Sequence, residues 1–259
     1  MILGFDIGNS NTVMGIYPSD DPAPAREYRY TTSRSSSGDE IAALITSFLR
    51  AQELLEKPGK NIRGIVVSSV VPELNQLYVE ISEKYFNIDP VILSKDSKTT
   101  ITITYDDLGQ LGVDRIVNAE AAYRLYGKDS IVIDMGTAMT LSVVTAKGVF
   151  EGGLIAPGLQ TAINALSERA SQLFAVPVAK PSSIIAKNTR DALISGFFYG
   201  WKGMIDGFIT KINEETSRIH QVILTGGLSS TIAPHLEGDI ILDGQLTMKG
   251  LKLLYELNK

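Results

Sequence analysis

Asp6-Ile7-Gly8-Asn9-Ser10-Asn11-Thr12 opens the chain with the form D-x-G-x-x-x-T, and Asp134-Met135-Gly136-Thr137-Ala138-Met139-Thr140 repeats that form 128 positions later, close to half of the 259 residues. Each copy sits between apolar runs of strand character. Ile2, Leu3 and Phe5 precede the first, and Val13, Met14, Ile16 and Tyr17 follow it. Ile131–Asp134 leads into the second, and Leu141–Thr145 leaves it. D-x-G alone is common. Matching flanks and a half-chain offset favour an internal duplication over coincidence. A fainter echo pairs Val67-Ser68-Ser69-Val70 with Leu224-Thr225-Gly226-Gly227, a buried strand followed by small residues.

The pattern around the two copies is that of an α/β chain. In the first half, Glu27 to Thr32 alternates like an edge strand. Residues 39–56 carry Ile41, Leu44, Ile45, Phe48, Leu49 and Leu54 at helical spacing. Ile62–Val71 is a continuous apolar run, as in a strand buried on both faces. Pro72 and Glu73 open a helix toward Tyr85, and Val91–Leu93 is a further strand. In the second half a turn at Ala146-Lys147-Gly148 leads to a short strand and the Gly152 to Gly158 loop. Helical patterns cover 159–171 and 188–216, a strand covers Val222–Leu224, and a last helix covers about 247–257. Two lobes are expected, 1–117 and 118–259.

Composition narrows the chemistry. A chain this long buries enough surface to fold without staples. The absence of cysteine excludes disulfides, thiolate metal sites and cysteine nucleophiles. The only histidines, His220 and His235, read as surface or internally satisfied residues. A net charge of −5 without a Lys/Arg stripe argues against nucleic acid as partner. No apolar stretch is long enough for a membrane span. The start MILGFDIGNSNT has neither a basic region nor a cleavage site, so a cytoplasmic protein is expected.

A glycine turn between strands lets backbone N–H groups approach an anion, because no Cβ intervenes. Asn9, Ser10, Asn11 and Thr12 add neutral donors, and Thr137 and Thr140 do so in the second copy. Donors without fixed charge suit a phosphate chain whose charge a metal carries, and Asp6 can hold hydrated Mg²⁺ through water. Asp134 holds the matching place. A single copy reads as structural, since an Asp before a turn often accepts local N–H bonds. Two copies on lobes related by a pseudo-twofold axis would face one cleft and bind phosphate. There is neither a Walker A pattern nor G-x-G-x-x-G.

Gly112-Val113-Asp114-Arg115 precedes a helical pattern through Tyr126. Asp114 reads equally as a helix N-cap and as a base for a substrate hydroxyl, with Arg115 binding an anionic group. Gly196, Gly200, Gly203 and Gly207 form a bare helical stripe, read as close packing against another backbone in preference to a nucleotide or a second subunit. Trp201 beside it reads as core.

Taken in order, DIGNSNT, GVDR, DMGTAMT, Gly152 to Gly158 (GGLIAPG), Asn188-Thr189, Thr225 to Gly227 (TGG) and the Leu246–Leu251 stretch span the chain. This series resembles that of the type III pantothenate kinases, within the acetate-and-sugar-kinase, heat-shock-protein and actin superfamily. The resemblance implies a duplicated actin-like, ribonuclease H-like α/β fold of two lobes, with mixed sheets flanked by helices. It implies ATP-dependent phosphorylation of pantothenate to 4′-phosphopantothenate, the first step of coenzyme A biosynthesis. By position, Asp114 is similar to the family's proton acceptor. Tyr105, Gly112, Val113, Arg115 and Thr189 would contact pantothenate. Asp6, Ile7, Gly8, Asn9, Ser10, Asn11, Thr12, Val13 and Thr137 would contact ATP. Asp134 would hold the K⁺ or NH₄⁺ the family requires, and a homodimer is implied. The family's Y-D-N-P reads Tyr105-Asp106-Asp107-Leu108 here, without the Asn and Pro. Two rivals keep the same motifs: a kinase for another small alcohol or sugar, and a nucleotide-binding protein without turnover.

Overall fold

The first two strands are apolar and buried almost throughout, and the third alternates half-buried and exposed residues as an edge strand does. In the computed structural model, which describes residues 1–51 and 61–259, β1 (Ile2–Ile7) pairs antiparallel with β2 (Asn11–Tyr17), and β2 with β3 (Arg26–Thr31). α1 (Gly38–Ala51) leads to β4 (Gly64–Ser69), which lies parallel to β1. After α2 (Asn75–Ile81), the short β5 (Val91–Ile92) adds parallel to β4. The sheet order is β3-β2-β1-β4-β5. The expected continuation of the first helix to residue 56 lies outside the described residues.

The second half builds the same order. β6 (Thr102–Ile103) and α3 (Val113–Tyr126) precede β7 (Ser130–Met135), β8 (Ala138–Val144) and β9 (Val149–Pro157). Then come α4 (Leu159–Arg169), α5 (Thr189–Thr216), β10 (Gln221–Thr225), α6 (Ser229–Ile232), β11 (Ile240–Leu242) and α7 (Leu246–Asn258). The sheet runs β11-β10-β7-β8-β9-β6. Without β6 this is the first sheet again, an antiparallel three-strand meander with two parallel strands beyond its first strand. A shared order with matching strand directions is what duplication predicts, and the α/β reading holds.

Two compact units result. The first comprises Met1–Thr100, Asp106–Ala121 and Gln245–Lys259, and the second Ile101–Tyr105 and Ala122–Gly244. The division inside α3 falls at Ala121/Ala122, close to the expected 117/118, but Ile101–Tyr105 counts with the second unit and the last helix with the first. The reason is packing: Leu251, Leu254 and Tyr255 of α7 bury against Ile2, Tyr17 and Val66, and the Tyr17 hydroxyl donates to the Met248 carbonyl at 2.6 Å. The opposite face of that sheet buries Leu3, Phe5, Ile7, Met14 and Ile16 under α1 and α2. In the second unit Ile131, Ile133, Leu141 and Leu224 pack against Leu159, Phe198 and Ile205 of α4 and α5.

The glycine stripe on α5 is not the close backbone contact expected. A Cβ added at Gly196, Gly200, Gly203 or Gly207 would meet no atom within 4 Å among the described residues. Trp201 does pack on the second unit's core. His220 is buried with Nδ1 2.7 Å from the Asn213 Oδ1, and burial pushes its pKa down.

Candidate active site

In the first unit the chain turns between Ile7 and Thr12, which pair directly across β1 and β2. Gly8 N–H donates to the Asn11 carbonyl at 3.0 Å and closes the turn, leaving Asn9, Ser10 and Asn11 exposed. The end of β3 clamps it. Thr32 N–H donates to the Ser10 carbonyl at 3.0 Å, and the Thr32 hydroxyl donates to the Gly8 carbonyl at 2.7 Å. Arg34 donates to the Asn9 side-chain oxygen at 3.2 Å while pairing with Glu73 at 2.9 Å. Ile7 and Val13 are buried. Asp6, half-buried, lies between Val13 and Ser68 in register. Thr12 is 1% exposed and faces the opposite side of the sheet, its hydroxyl 2.9 Å from that of Thr32.

The second turn, in the second unit, is tighter. Met135 pairs with Met139, and Gly136, Thr137 and Ala138 are exposed. Gly158 N–H donates to the Thr137 carbonyl at 3.1 Å, as does the Thr161 hydroxyl at 2.7 Å. A Cβ on Gly158 would sit 2.3 Å from the Gly136 oxygen and 2.4 Å from that of Thr137, so only glycine allows this approach. Asp134 pairs with Thr140 on one side and Thr225 on the other, which places three oxygen-bearing side chains on one face across β8, β7 and β10.

Gly112 to Arg115 stays in the first unit. α3 begins at Val113, so Asp114 lies in the first helical turn and is not the residue before it. Its carboxylate still serves the helix start by accepting from the Arg115 N–H at 2.9 Å. Burial pushes the Asp114 carboxyl up, opposed by that backbone bond and by the Arg115 charge. A Cβ on Gly112 would come 2.4 Å from the Asp114 Oδ1, so a bare residue there leaves the carboxylate its place. Val113 is buried, and Arg115 is only 4% exposed. Tyr105, in the second unit, stacks obliquely on Phe150 with centroids 6.1 Å apart. The altered loop after it is tied down. Asp107 accepts from the Gly109 N–H at 2.8 Å and from the Gln110 amide at 2.9 Å, the work an Asn carbonyl could do only in part. Thr189 is exposed at the start of α5, where Asn188 caps by accepting from the Asp191 N–H at 2.9 Å.

Sequence reasoning did not single out Thr32, Arg34 and Thr161. Each stands just beyond a meander's third strand, and only the sheet register shows that it reaches a turn. Among the described residues no three carboxylate or imidazole groups converge. A divalent ion here would rest on one carboxylate and on phosphate oxygens, the manner in which Mg²⁺ is commonly held.

The two sheets and their shared order define a duplicated actin-like α/β fold. Solved structures agree on the fold. A ROK family glucokinase from Streptomyces griseus superposes with a TM-score of 0.56 at 11% identity, covering 99% of this chain and 98% of that one. An inorganic polyphosphate/ATP-glucomannokinase from Arthrobacter sp. strain KM gives 0.51 at 13%, covering 100% and 99%. Sequence comparison is more specific. The type III pantothenate kinase family model matches residues 2–211. Type III pantothenate kinases of Halalkalibacterium halodurans and Geobacter sulfurreducens are each 40% identical to the chain, the first over the full length of both proteins and the second over 260 residues and all of this chain. The chain belongs to the type III pantothenate kinases, enzymes that phosphorylate pantothenate with ATP in coenzyme A biosynthesis.

Proposed function

We propose that Asp114 accepts the proton of the pantothenate hydroxyl as that oxygen attacks the γ-phosphorus of ATP. The observation that carries this is the carboxylate at the start of α3. Burial raises its proton affinity, Arg115 N–H fixes one oxygen, and bare Gly112 leaves it room. A carboxyl raised in this way is a better base than an exposed one. The hydroxyl oxygen forms a bond to phosphorus, the bond from phosphorus to the ADP oxygen breaks, and the proton passes to Asp114. Asp6 through Val13 and Thr137 hold ATP, with the exposed Asn9, Ser10 and Asn11 supplying donors. Val13 and Thr12 act by fixing the turn, since both side chains are buried. Tyr105, Gly112, Val113, Arg115 and Thr189 hold pantothenate.

Asp6 would hold Mg²⁺ through water, and the ion would supply neutralisation of phosphate charge. Asp134 would hold K⁺ or NH₄⁺, and its neighbours Thr140 and Thr225 offer hydroxyl oxygens on the same face. The working form is a homodimer in the cytoplasm. The uncovered glycine stripe of α5 supports a second copy, because bare helix surface without contact in its own chain is costly.

A coupled ADP-release assay tests the reading. ADP release should require pantothenate, and a sugar or alcohol panel should not replace it. Asp114→Asn should lower kcat by about 10²- to 10⁴-fold without unfolding the protein. An unchanged kcat removes Asp114 from the mechanism. Activity should fall sharply when K⁺ is replaced by Na⁺, and Asp134→Ala should reproduce that loss. Equal rates in both salts would reject the cation assignment.

A further inference from the structure

Two hydroxyls of the first unit form a relay that ends on the first turn. The Thr12 and Thr32 oxygens are 2.9 Å apart, and Thr32 donates to the Gly8 carbonyl at 2.7 Å. Proton counting sets its direction. Each hydroxyl has one proton, and a carbonyl only accepts. Thr32 spends its proton on Gly8, so Thr12 must donate to Thr32. In a trans peptide the C=O and the following N–H point in opposite directions. Holding the Gly8 carbonyl inward therefore turns the Asn9 N–H away from the hydroxyl relay.

We propose that Thr32 is a positioning residue for ATP, which aims the first turn's backbone donors at phosphate as the last member of a one-way hydroxyl relay from Thr12. The inference rests on the reading of this turn as a phosphate site. The relay borders a cavity of about 220 Å³, so replacing the Thr32 hydroxyl by a methyl group creates no crowding.

Steady-state kinetics of the full chain, with ATP and pantothenate varied separately, test it, together with direct titration by a non-hydrolysable ATP analogue. Thr32→Val leaves the Gly8 carbonyl without its donor and should raise the KM for ATP and the analogue Kd about tenfold. The KM for pantothenate should stay within about twofold, because the effect of one lost hydrogen bond is confined to the turn it holds. Thr32→Ser should restore ATP binding. Thr12→Val, which removes the proton given to Thr32, should raise the ATP constants by about two- to threefold. ATP constants unchanged in Thr32→Val, or equally poor in Thr32→Ser, overturn the proposal. If Thr32→Val does not fold, Thr12→Val decides, since unchanged ATP constants there overturn it too. Failure of the wild-type chain to release ADP with pantothenate defeats the functional reading instead, and the analogue titration still reports on the turn.

Discussion

The two glycine turns share a seven-residue pattern but are built differently. In the first, Asp6 pairs with Val13; in the second, Asp134 pairs with Thr140. One turn is a residue longer, and a one-residue slip moves a side chain to the other face of a sheet. Thr12 therefore turns away from Asp6 into the hydroxyl relay, while Thr140 stays beside Asp134. The clamps differ as well. Thr32 and Gly158 occupy the same place, since each donates its N–H to a carbonyl of the turn one residue beyond the third strand. The first unit uses a side chain there, and the second uses the absence of one. Two copies of one hairpin have thus taken different tasks, with donors on an adjustable clamp in one and a carboxylate among hydroxyls in the other.

The largest test of this contrast is Gly158→Ala. Its Cβ would meet backbone oxygen and carbon of Gly136 and Thr137, which no rotamer can relieve. We expect a loss of roughly 3 kcal/mol in urea unfolding, at the upper end for overpacking. Thr32→Ala at the matching position should cost about 1 kcal/mol, the net worth of one hydrogen bond. Equal losses would mean that the two clamps are not different devices.

A smaller effect separates the two threonines. Thr140→Val should raise the K⁺ concentration for half-maximal activity severalfold, because it removes an oxygen beside Asp134. Thr12→Val should leave K⁺ dependence alone and act on ATP. An unchanged K⁺ response in Thr140→Val would detach Thr140 from the proposed cation site.

Much of this organisation was legible before any coordinates. Apolar runs on both sides of each D-x-G gave the hairpins, and the echo of Val67-Ser68 in Leu224-Thr225 matches the register, with Ser68 beside Asp6 and Thr225 beside Asp134. The turn lengths were not legible, because D-x-G-x-x-x-T fixes spacing along the chain and not pairing across it. The destination of α7 was hidden for a similar reason: Leu251, Leu254 and Tyr255 announce a buried face but not which sheet will bury it. The glycine stripe was misread as internal packing because the spacing of bare residues on a helix does not say what lies opposite them, and nothing among the described residues does within 4 Å of an added Cβ.

The smallest predicted effect compares two helix starts. Asn188 begins α5 in the open as a neutral cap, whereas Asp114 holds a carboxylate in a buried first turn of α3. Because burial raises its folded pKa, folding favours the protonated form. The stability it permits is fully present below the unfolded value of 3.8 and is drawn down as pH rises through the folded value. Asp114→Asn should therefore raise Tm at pH 7, and the gain should vanish as pH falls below that unfolded value. Asn188→Asp, at the exposed start of α5, should show no such pH-dependent penalty. An Asp114→Asn variant less stable than wild type at pH 7 would mean that the carboxylate's bond to the Arg115 N–H outweighs its desolvation, and that α3 begins with an ordinary stabilising acid instead of one held at a cost for chemistry.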